Sequence, residues 1–104
     1  NAVAPGWVAS SGLDTYSGAV KSMIPKLRDS VPLKRLATEA EVSASICFLL
    51  SDAAAFITGE TVKVDGGAPL ASLHWPSSNT ARSEPFDGFH RATVPKVLGG
   101  ESKD

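Results

Sequence analysis

A tyrosine and a nearby lysine are the residues of this chain that could carry out acid–base chemistry. A lysine ammonium that lies beside a tyrosine on one face of a helix lowers the pKa of the tyrosine, which can then transfer protons. Tyr16 and Lys21 are five residues apart, and on a helix this separation points the two side chains about 140° apart. The spacing therefore predicts that Tyr16 is not a catalytic acid or base, and the sequence offers no other catalytic candidate.

The remaining reactive residue types lack the partners that their chemistry requires. His74 and His90 have no histidine four residues away and no cysteine pair, so the sequence predicts no metal site. Cys47 is the only cysteine and lies in an apolar stretch, where a small core residue is favoured over a nucleophile. Ser10 does not lie in the G-x-S-x-G pattern of a serine hydrolase.

Composition argues against two classes of partner. The chain has 104 residues and a net charge of −1, so it lacks the basic excess that binds a nucleic-acid backbone. The apolar run 46–50 is far shorter than the roughly 20 residues of a membrane-spanning helix. A single cysteine offers no disulfide framework, which favours a reducing, cytoplasmic location. We therefore expect neither nucleic-acid nor membrane binding.

Two short strands and one capped helix are the clearest predicted elements. Residues 1–6 are typical of a strand that ends in a Pro-Gly turn. Thr38 and Glu41 form a capping-box pattern, after which apolar residues recur at helical spacing. Because this helix is apolar on nearly all sides, we expect it to be buried on most of them, by its own core and by a partner subunit. The β-branched run 60–64 predicts a second strand, and the strand–helix–strand order is typical of a parallel sheet.

The connecting segment and the tail are less regular. A short amphipathic helix is predicted from the spacing of Leu13, Tyr16, Val20, Met23 and Ile24. The glycines and prolines around it indicate a mobile helical loop. Beyond residue 70 the periodicity is lost, and proline, serine and glycine predict an extended tail over 71–104. We expect the tail aromatics to be docking points: Trp75, Phe86 and Phe89.

The Gly66-Gly67 pair is the one glycine-rich feature that could seat a phosphate. A phosphate-binding loop needs a helix directly after it, and here Pro69 follows instead. We therefore interpret Gly66-Gly67 as a turn after the last strand and Asp65 as its turn-forming residue.

Three stretches, in this order and spacing, carry a resemblance to a known family. They are N-A-V-A-P-G at 1–6, V-P-L-K-R-L-A-T-E-A-E-V at 31–42, and F-L-L-S-D, I-T-G-E and V-D-G-G at 48–52, 57–60 and 64–67. Together they resemble the C-terminal part of the short-chain dehydrogenase/reductase family. Within that family the chain is similar to the peroxisomal trans-2-enoyl-CoA reductase and 2,4-dienoyl-CoA reductase branch and its bacterial relatives.

The resemblance implies an α/β fold. The chain would be the C-terminal part of a Rossmann-type doubly wound parallel sheet, with the end of strand six, the lid helices, the last large helix and strand seven. Residues 1–70 would belong to a nicotinamide-dinucleotide-binding domain, and 71–104 would form an extended, Pro-rich tail. The family's Gly-rich loop and its catalytic serine, tyrosine and lysine are absent, so we expect a fragment that is inactive alone.

The resemblance also implies hydride transfer between NADP or NAD and an enoyl-CoA or a carbonyl or alcohol substrate. The cofactor-binding residues would be Pro5, Gly6, Trp7, Val8 and Ser10. The Val8 backbone would bond the nicotinamide carboxamide, and Ser10 would take the place of a threonine that contacts carboxamide or phosphate. Gly6 would let the backbone approach the ring closely.

A substrate lid is implied over residues 13–27, where Leu13, Tyr16 and Met23 would face an acyl-CoA or a hydrophobic alcohol or ketone. The alternative is that these side chains pack against their own domain. The family pairs its last helix and strand between subunits, which implies a homo-oligomer, either a dimer or a tetramer. A second reading is therefore a non-enzymatic oligomerisation or binding module built from that helix and strand.

Overall fold

The computed structural model describes residues 1–71, 81–86 and 96–98. Its helices and strands are β1 (Ala2–Pro5), α1 (Gly18–Leu27), α2 (Glu39–Leu50) and β2 (Thr61–Val64). Short 3₁₀ turns lie at Ser11–Thr15, Arg28–Ser30, Asp52–Ala54, Ala68–Leu70 and Lys96–Leu98. No helix in the described ranges has the length and apolarity that a bilayer crossing requires.

The two strands pair in parallel, with Ala2 opposite Thr61 and Pro5 opposite Val64. Helix α2 is the crossover between them and packs against both strands. This arrangement confirms the predicted α/β class and the parallel pairing. The second strand begins at Thr61, one residue later than predicted.

Asn1 fixes the start of the sheet from one side. Its Nδ2 donates to the carbonyl of Ile57 at 2.9 Å, and its Oδ1 accepts from the amide of Glu60 at 3.0 Å. At the other end of β1, the amide of Gly6 donates to the carbonyl of Val64 at 3.0 Å. Hydrogen bonds at both ends of a four-residue strand therefore hold the register.

The predicted capping box is present at the start of α2. The hydroxyl of Thr38 accepts from the amide of Glu41 at 3.2 Å, and the Glu41 carboxylate accepts from the amide of Thr38 at 2.8 Å. Two amides that the helix itself leaves unpaired are thereby satisfied. The helix ends at Leu50, and Ser51 is its C-cap.

The chain's own core buries only a narrow face of α2, and the expected burial of its other faces by a partner subunit stays a prediction. Within α2 the fully buried residue is Ala40, whereas Phe48 is 47% exposed and Leu50 is 82% exposed. Cys47, predicted to be a core residue, is also exposed. A helix that lies on two short strands buries one narrow face, so apolarity on the remaining faces does not lead to burial in this chain.

The predicted single helix around Tyr16 is wrong in its extent. Leu13 lies in a separate 3₁₀ turn, and Tyr16 follows that turn in an extended conformation with φ −76° and ψ 150°. Helix α1 begins only at Gly18, whose φ of +65° suits a glycine. The helical-wheel argument about Tyr16 and Lys21 therefore does not apply, because only Lys21 lies on a helix.

The described parts of the tail contact the body of the protein at several places. The amide of Ser83 donates to the carbonyl of Leu33 at 3.3 Å, and the carbonyl of Phe86 accepts from the Thr38 hydroxyl at 2.7 Å. Phe86 thus contacts the body through its backbone, and docking by its aromatic ring stays a prediction. The other predicted docking points, Trp75 and Phe89, and the two histidines, His74 and His90, lie outside the described residues.

Candidate functional site

The segment Trp7–Ser10 leaves β1 at the edge of the sheet where both parallel strands end. Ligands of open parallel sheets bind at this carboxyl edge. The turn into the segment requires a glycine, because a Cβ on Gly6 would lie 2.9 Å from both Cα and Cβ of Asp65. Gly6 is therefore needed for close packing against the end of β2 as well as for any approach of a ligand.

A short parallel bridge holds this segment from one side. The amide of Ala37 donates to the carbonyl of Trp7 at 2.9 Å, and the amide of Ala9 donates to the carbonyl of Ala37 at 2.8 Å. Ala9 is buried, with 3% of its surface exposed. The backbone of the segment is consequently fixed before any ligand binds.

Val8 is the residue that this bridge turns outward. In a parallel bridge the central residue directs its own amide and carbonyl away from its partner, and Val8 is central opposite Ala37. The carbonyl of Val8 accepts from the amide of Ser10 at 3.0 Å. The amide of Val8 has no partner among the residues that the structure describes. An oriented, unpaired donor therefore stands at the carboxyl edge of the sheet.

The end of β2 forms a tight turn beside this segment. Gly66 and Gly67 have φ values of +62° and +83°, and the amide of Gly67 donates to Asp65 Oδ1 at 2.9 Å. These contacts confirm the predicted turn and the turn-forming role of Asp65. One detail differs, since a single 3₁₀ turn at Ala68–Leu70 follows the glycines.

A cavity of about 150 Å³ opens between the Trp7 side and the end of β2. Its lining combines apolar groups with one ion pair: Trp7, Leu33, Arg35, Ala37, Glu41 and residues 63–66. The volume matches a single small ring and is below the 300 to 1,000 Å³ typical of a complete ligand pocket. The cavity is therefore too small to hold a complete ligand by itself.

The polar wall of the cavity is an ion pair to which the sequence analysis gave no role. Arg35 Nη1 and Nη2 lie 2.7 Å from Glu41 Oε1 and Oε2, which is a two-pronged contact. Arg35 Nε also donates to the hydroxyl and carbonyl of Ser83, at 2.9 and 3.0 Å. The signal available in the sequence was an arginine shortly before a capping-box glutamate, within the stretch 31–42.

Glu41 is ionised at lower pH than an ordinary glutamate. Burial raises the pKa of its carboxyl, but the hydrogen bonds from Arg35 and from the amide of Thr38, together with the Arg35 charge, outweigh burial. The amide of Phe86 acts in the same direction. The net result is a pKa below the usual value, so the pair is fully charged near neutral pH.

Two of the predicted lid residues are about as exposed as Trp7, of which 48% is exposed. Tyr16 is 50% exposed and Met23 is 59% exposed, whereas Leu13 is half-buried. Ile24 is the buried side chain of α1, at 4%. Two of the three predicted lid residues therefore present their side chains to solvent.

Comparison with known proteins fixes the family. A family model described as enoyl-(acyl carrier protein) reductase matches residues 1–69. A solved short chain dehydrogenase from Bacillus anthracis superposes with a TM-score of 0.54 at 37% identity, over 70% of this chain and 27% of that one. The chain belongs to the short-chain dehydrogenase/reductase family. The structural match also confirms a Rossmann-type α/β fold.

Curated relatives of this family member are named as oxidoreductases and reductases, with one nodulation protein among them. An uncharacterized oxidoreductase of Mycobacterium tuberculosis is 34% identical over 73% of this chain and 28% of its own length. The 3-oxoacyl-(acyl-carrier-protein) reductase FabG of Staphylococcus epidermidis is 37% identical over 64% and 26%. Nodulation protein G of Rhizobium meliloti is 37% identical over 67% and 28%. The chain thus spans about a quarter of the length of the curated relatives that it matches.

Proposed function

We propose that the protein is an oxidoreductase that transfers hydride between NADP or NAD and an organic substrate, and that this chain supplies the segment that holds the nicotinamide. The observation that carries the proposal is the Val8 amide, which is oriented by the Ala37 bridge and unpaired among the described residues. A dinucleotide brings hydride chemistry to such a site, and the protein contributes binding and orientation.

Each residue of the segment has a role that fits this proposal. Pro5 and Gly6 make the turn that aims the chain along the carboxyl edge of the sheet. The Val8 amide donates to the carboxamide oxygen, which holds the ring by one edge so that a single face meets the substrate. Ser10 offers its half-buried hydroxyl as a second donor, and Trp7 lines the neighbouring cavity.

The substrate class proposed is an acyl-CoA or a hydrophobic ketone or alcohol. Support comes from the apolar side chains of residues 11–27, where Leu13, Tyr16 and Met23 could cover such a substrate. The family description names an enoyl reductase and one relative is named a 3-oxoacyl reductase, so reduction of a C=C bond and reduction of a carbonyl are both retained. The resemblance to the enoyl-CoA reductase branch stays a hypothesis.

We further propose that the protein is a homo-oligomer through α2 and β2. Large apolar side chains of α2 and of the segment between α2 and β2 are exposed in the chain: Ile46, Phe48, Leu50, Phe56 and Ile57. An exposed group of this kind is typical of a protein interface. A purely structural oligomerisation module is the alternative function that this surface favours.

A substitution pair at Val8 tests the proposal in the full-length protein that contains this chain. Val8→Pro removes the amide donor, and that amide takes no part in the Ala37 bridge. Val8→Ala keeps the donor and serves as the matched control. We expect Val8→Pro to weaken NADPH or NADH binding about fivefold to tenfold in a fluorescence titration, and Val8→Ala to change it little.

The substrate class is tested in the same preparation. Dinucleotide oxidation is measured with enoyl-CoA esters, 3-oxoacyl thioesters and ketones, and the preferred group identifies the substrate class. A wild-type protein that is folded and oligomeric but binds neither NADPH nor NADH would refute the oxidoreductase proposal and support the module.

A further inference from the structure

The Arg35–Glu41 pair sits where the chain makes an unusual turn. Lys34, which precedes the pair, has a φ of +60° and is the one non-glycine residue with a positive φ among the described residues. A side chain in this region is strained and persists only where its surroundings hold it. The side chains of Arg35 and Glu41 are 10% and 19% exposed, so the pair is well placed to hold this turn.

The pair forms hydrogen bonds with the backbone on both sides of Ala37. Arg35 Nη1 donates to the carbonyl of Leu36 at 3.2 Å, just before Ala37. Glu41 Oε1 accepts from the amide of Thr38 at 2.8 Å, just after it. One ion pair therefore fixes the two peptide groups that flank the residue to which the Trp7–Ala9 segment is bonded.

A continuous set of short contacts thus leads from the ion pair to the proposed cofactor donor. The pair holds residues 36–38, Ala37 bonds Trp7 and Ala9, and Val8 between them directs its amide outward. The distances along this route lie between 2.7 and 3.2 Å. A shift of the turn at 36–38 would move the Val8 amide with it.

We infer that Arg35 and Glu41 are positioning residues that set the direction of the Val8 amide and thereby the hold on the nicotinamide end of the dinucleotide. This inference rests on the proposed function. It adds a specific consequence: loss of the pair should weaken binding of the nicotinamide end of the ligand and leave binding of the adenosine end unchanged. A pair that served only as a helix cap would affect stability without distinguishing one end of the ligand from the other.

The test compares Glu41→Gln with Glu39→Gln in the full-length protein. Both replace an acidic residue in the first turn of α2. The side chain of Glu39, however, is exposed and makes no hydrogen bond among the described residues. Two probes are titrated: the dinucleotide, NADPH or NADH, and the matching ADP-ribose, which lacks the nicotinamide. We expect Glu41→Gln to weaken dinucleotide binding about fivefold and to leave ADP-ribose binding unchanged. Glu39→Gln should change neither.

A second variant protects the test against a folding failure. Arg35→Lys keeps the charge but loses the two-pronged geometry, and we expect it to show the same selective loss at a smaller size. Circular dichroism and a melting curve confirm that each variant is folded. Equal losses for the dinucleotide and ADP-ribose, or no loss for either, would overturn the positioning role.

The outcomes also separate this inference from the proposed function. If the wild type binds neither probe, the proposed function and the inference fail together. If the wild type binds both probes and Glu41→Gln behaves like Glu39→Gln, the inference alone fails.

Discussion

Two neighbouring segments, 6–10 and 11–27, are held in opposite ways. The first is bonded to distant parts of the chain, through Val64 on one side and Ala37 on the other. The second is held mainly by local contacts, such as the Thr15 hydroxyl to the carbonyl of Gly12 and the Ser22 hydroxyl to the carbonyl of Ala19, both at 2.7 Å. We refer to them as the anchored segment and the lid segment.

Burial is mixed in both segments. Ala9 is 3% and Trp7 48% exposed in the anchored segment, and Ile24 is 4% and Met23 59% exposed in the lid segment. Segments with few buried contacts open at low free-energy cost, and substrate covers are drawn from such segments. Under the proposed function, the fixed backbone of the anchored segment would orient the cofactor and the lid segment would admit the substrate.

The largest expected effect comes from Gly6 in the anchored segment, and Gly12 in the lid segment serves as its control. Gly6→Ala places a Cβ 2.9 Å from Asp65 backbone and side-chain carbons, whereas at Gly12 the nearest heavy atom is the Ser10 hydroxyl at 3.4 Å. Overpacking of a fixed site costs about 1 to 3 kcal/mol, so Gly6→Ala should lower the free energy of unfolding by that amount. Gly12→Ala should stay within about 0.5 kcal/mol. Urea unfolding of both variants checks this, and equal losses would break the comparison.

A smaller effect on stability is expected when the pH is lowered, and it should act through Glu41, which supports the anchored segment by way of Ala37. The pKa of Glu41 is lower in the folded than in the unfolded protein, so its ionised form contributes stability above the ordinary glutamate pKa. That contribution is lost as the pH falls through the lower folded value. The difference in melting temperature between wild type and Glu41→Gln should therefore be constant near neutral pH and shrink below about pH 4.

The control for the acid prediction is Glu39→Gln, which removes a carboxylate from the same helical turn. Its difference from wild type should be small near neutral pH, because the Glu39 side chain makes no hydrogen bond among the described residues. A Glu41→Gln difference that grows as the pH falls would contradict the assigned direction of the pKa change. The total effect should be about 1 kcal/mol or less, because the ion pair is partly exposed.

Local patterns in the sequence predicted the helices and strands, but they did not predict the long-range contacts between segments. The capping box at Thr38 and Glu41 and the β-branched strand 61–64 depend on neighbours a few residues away, and both are present in the structure. The bridge between Val8 and Ala37 joins segments that are remote in the sequence, so no local pattern reports it.

Two differences between sequence and structure have the same physical origin. Apolarity predicted that α2 would be buried by its own core and by a partner subunit, but it does not specify which surface covers Phe48 and Leu50, and the described chain leaves both exposed. Periodicity predicted one helix around Tyr16, but Gly18, with a φ of +65°, stands where the chain changes from the extended Tyr16 to α1. In each case the apolar side chains were identified correctly, but the course of the backbone determined whether they are buried or lie on a helix.

The smallest expected effect concerns the lid segment and its contact with the tail. The carboxylate of Asp14 accepts from the amides of Lys96 and Val97, both at 3.0 Å. This carboxylate joins the lid segment to a remote part of the chain, so its loss should let the lid segment open more often. Because trypsin cleaves the opened form, its rate reports the population of that form.

We expect Asp14→Ala to raise the tryptic cleavage rate at Lys21 and Lys26 about threefold, the effect of one modest hydrogen-bonded contact. Asp29→Ala removes a carboxylate just beyond α1 that makes no hydrogen bond among the described residues, so it controls for the change of charge. Cleavage rates that are equal in the two variants would mean that the tail does not restrain the lid segment. The contrast between the segments would then come entirely from the bonds that hold residues 6–10, because the lid segment would have no long-range restraint to lose.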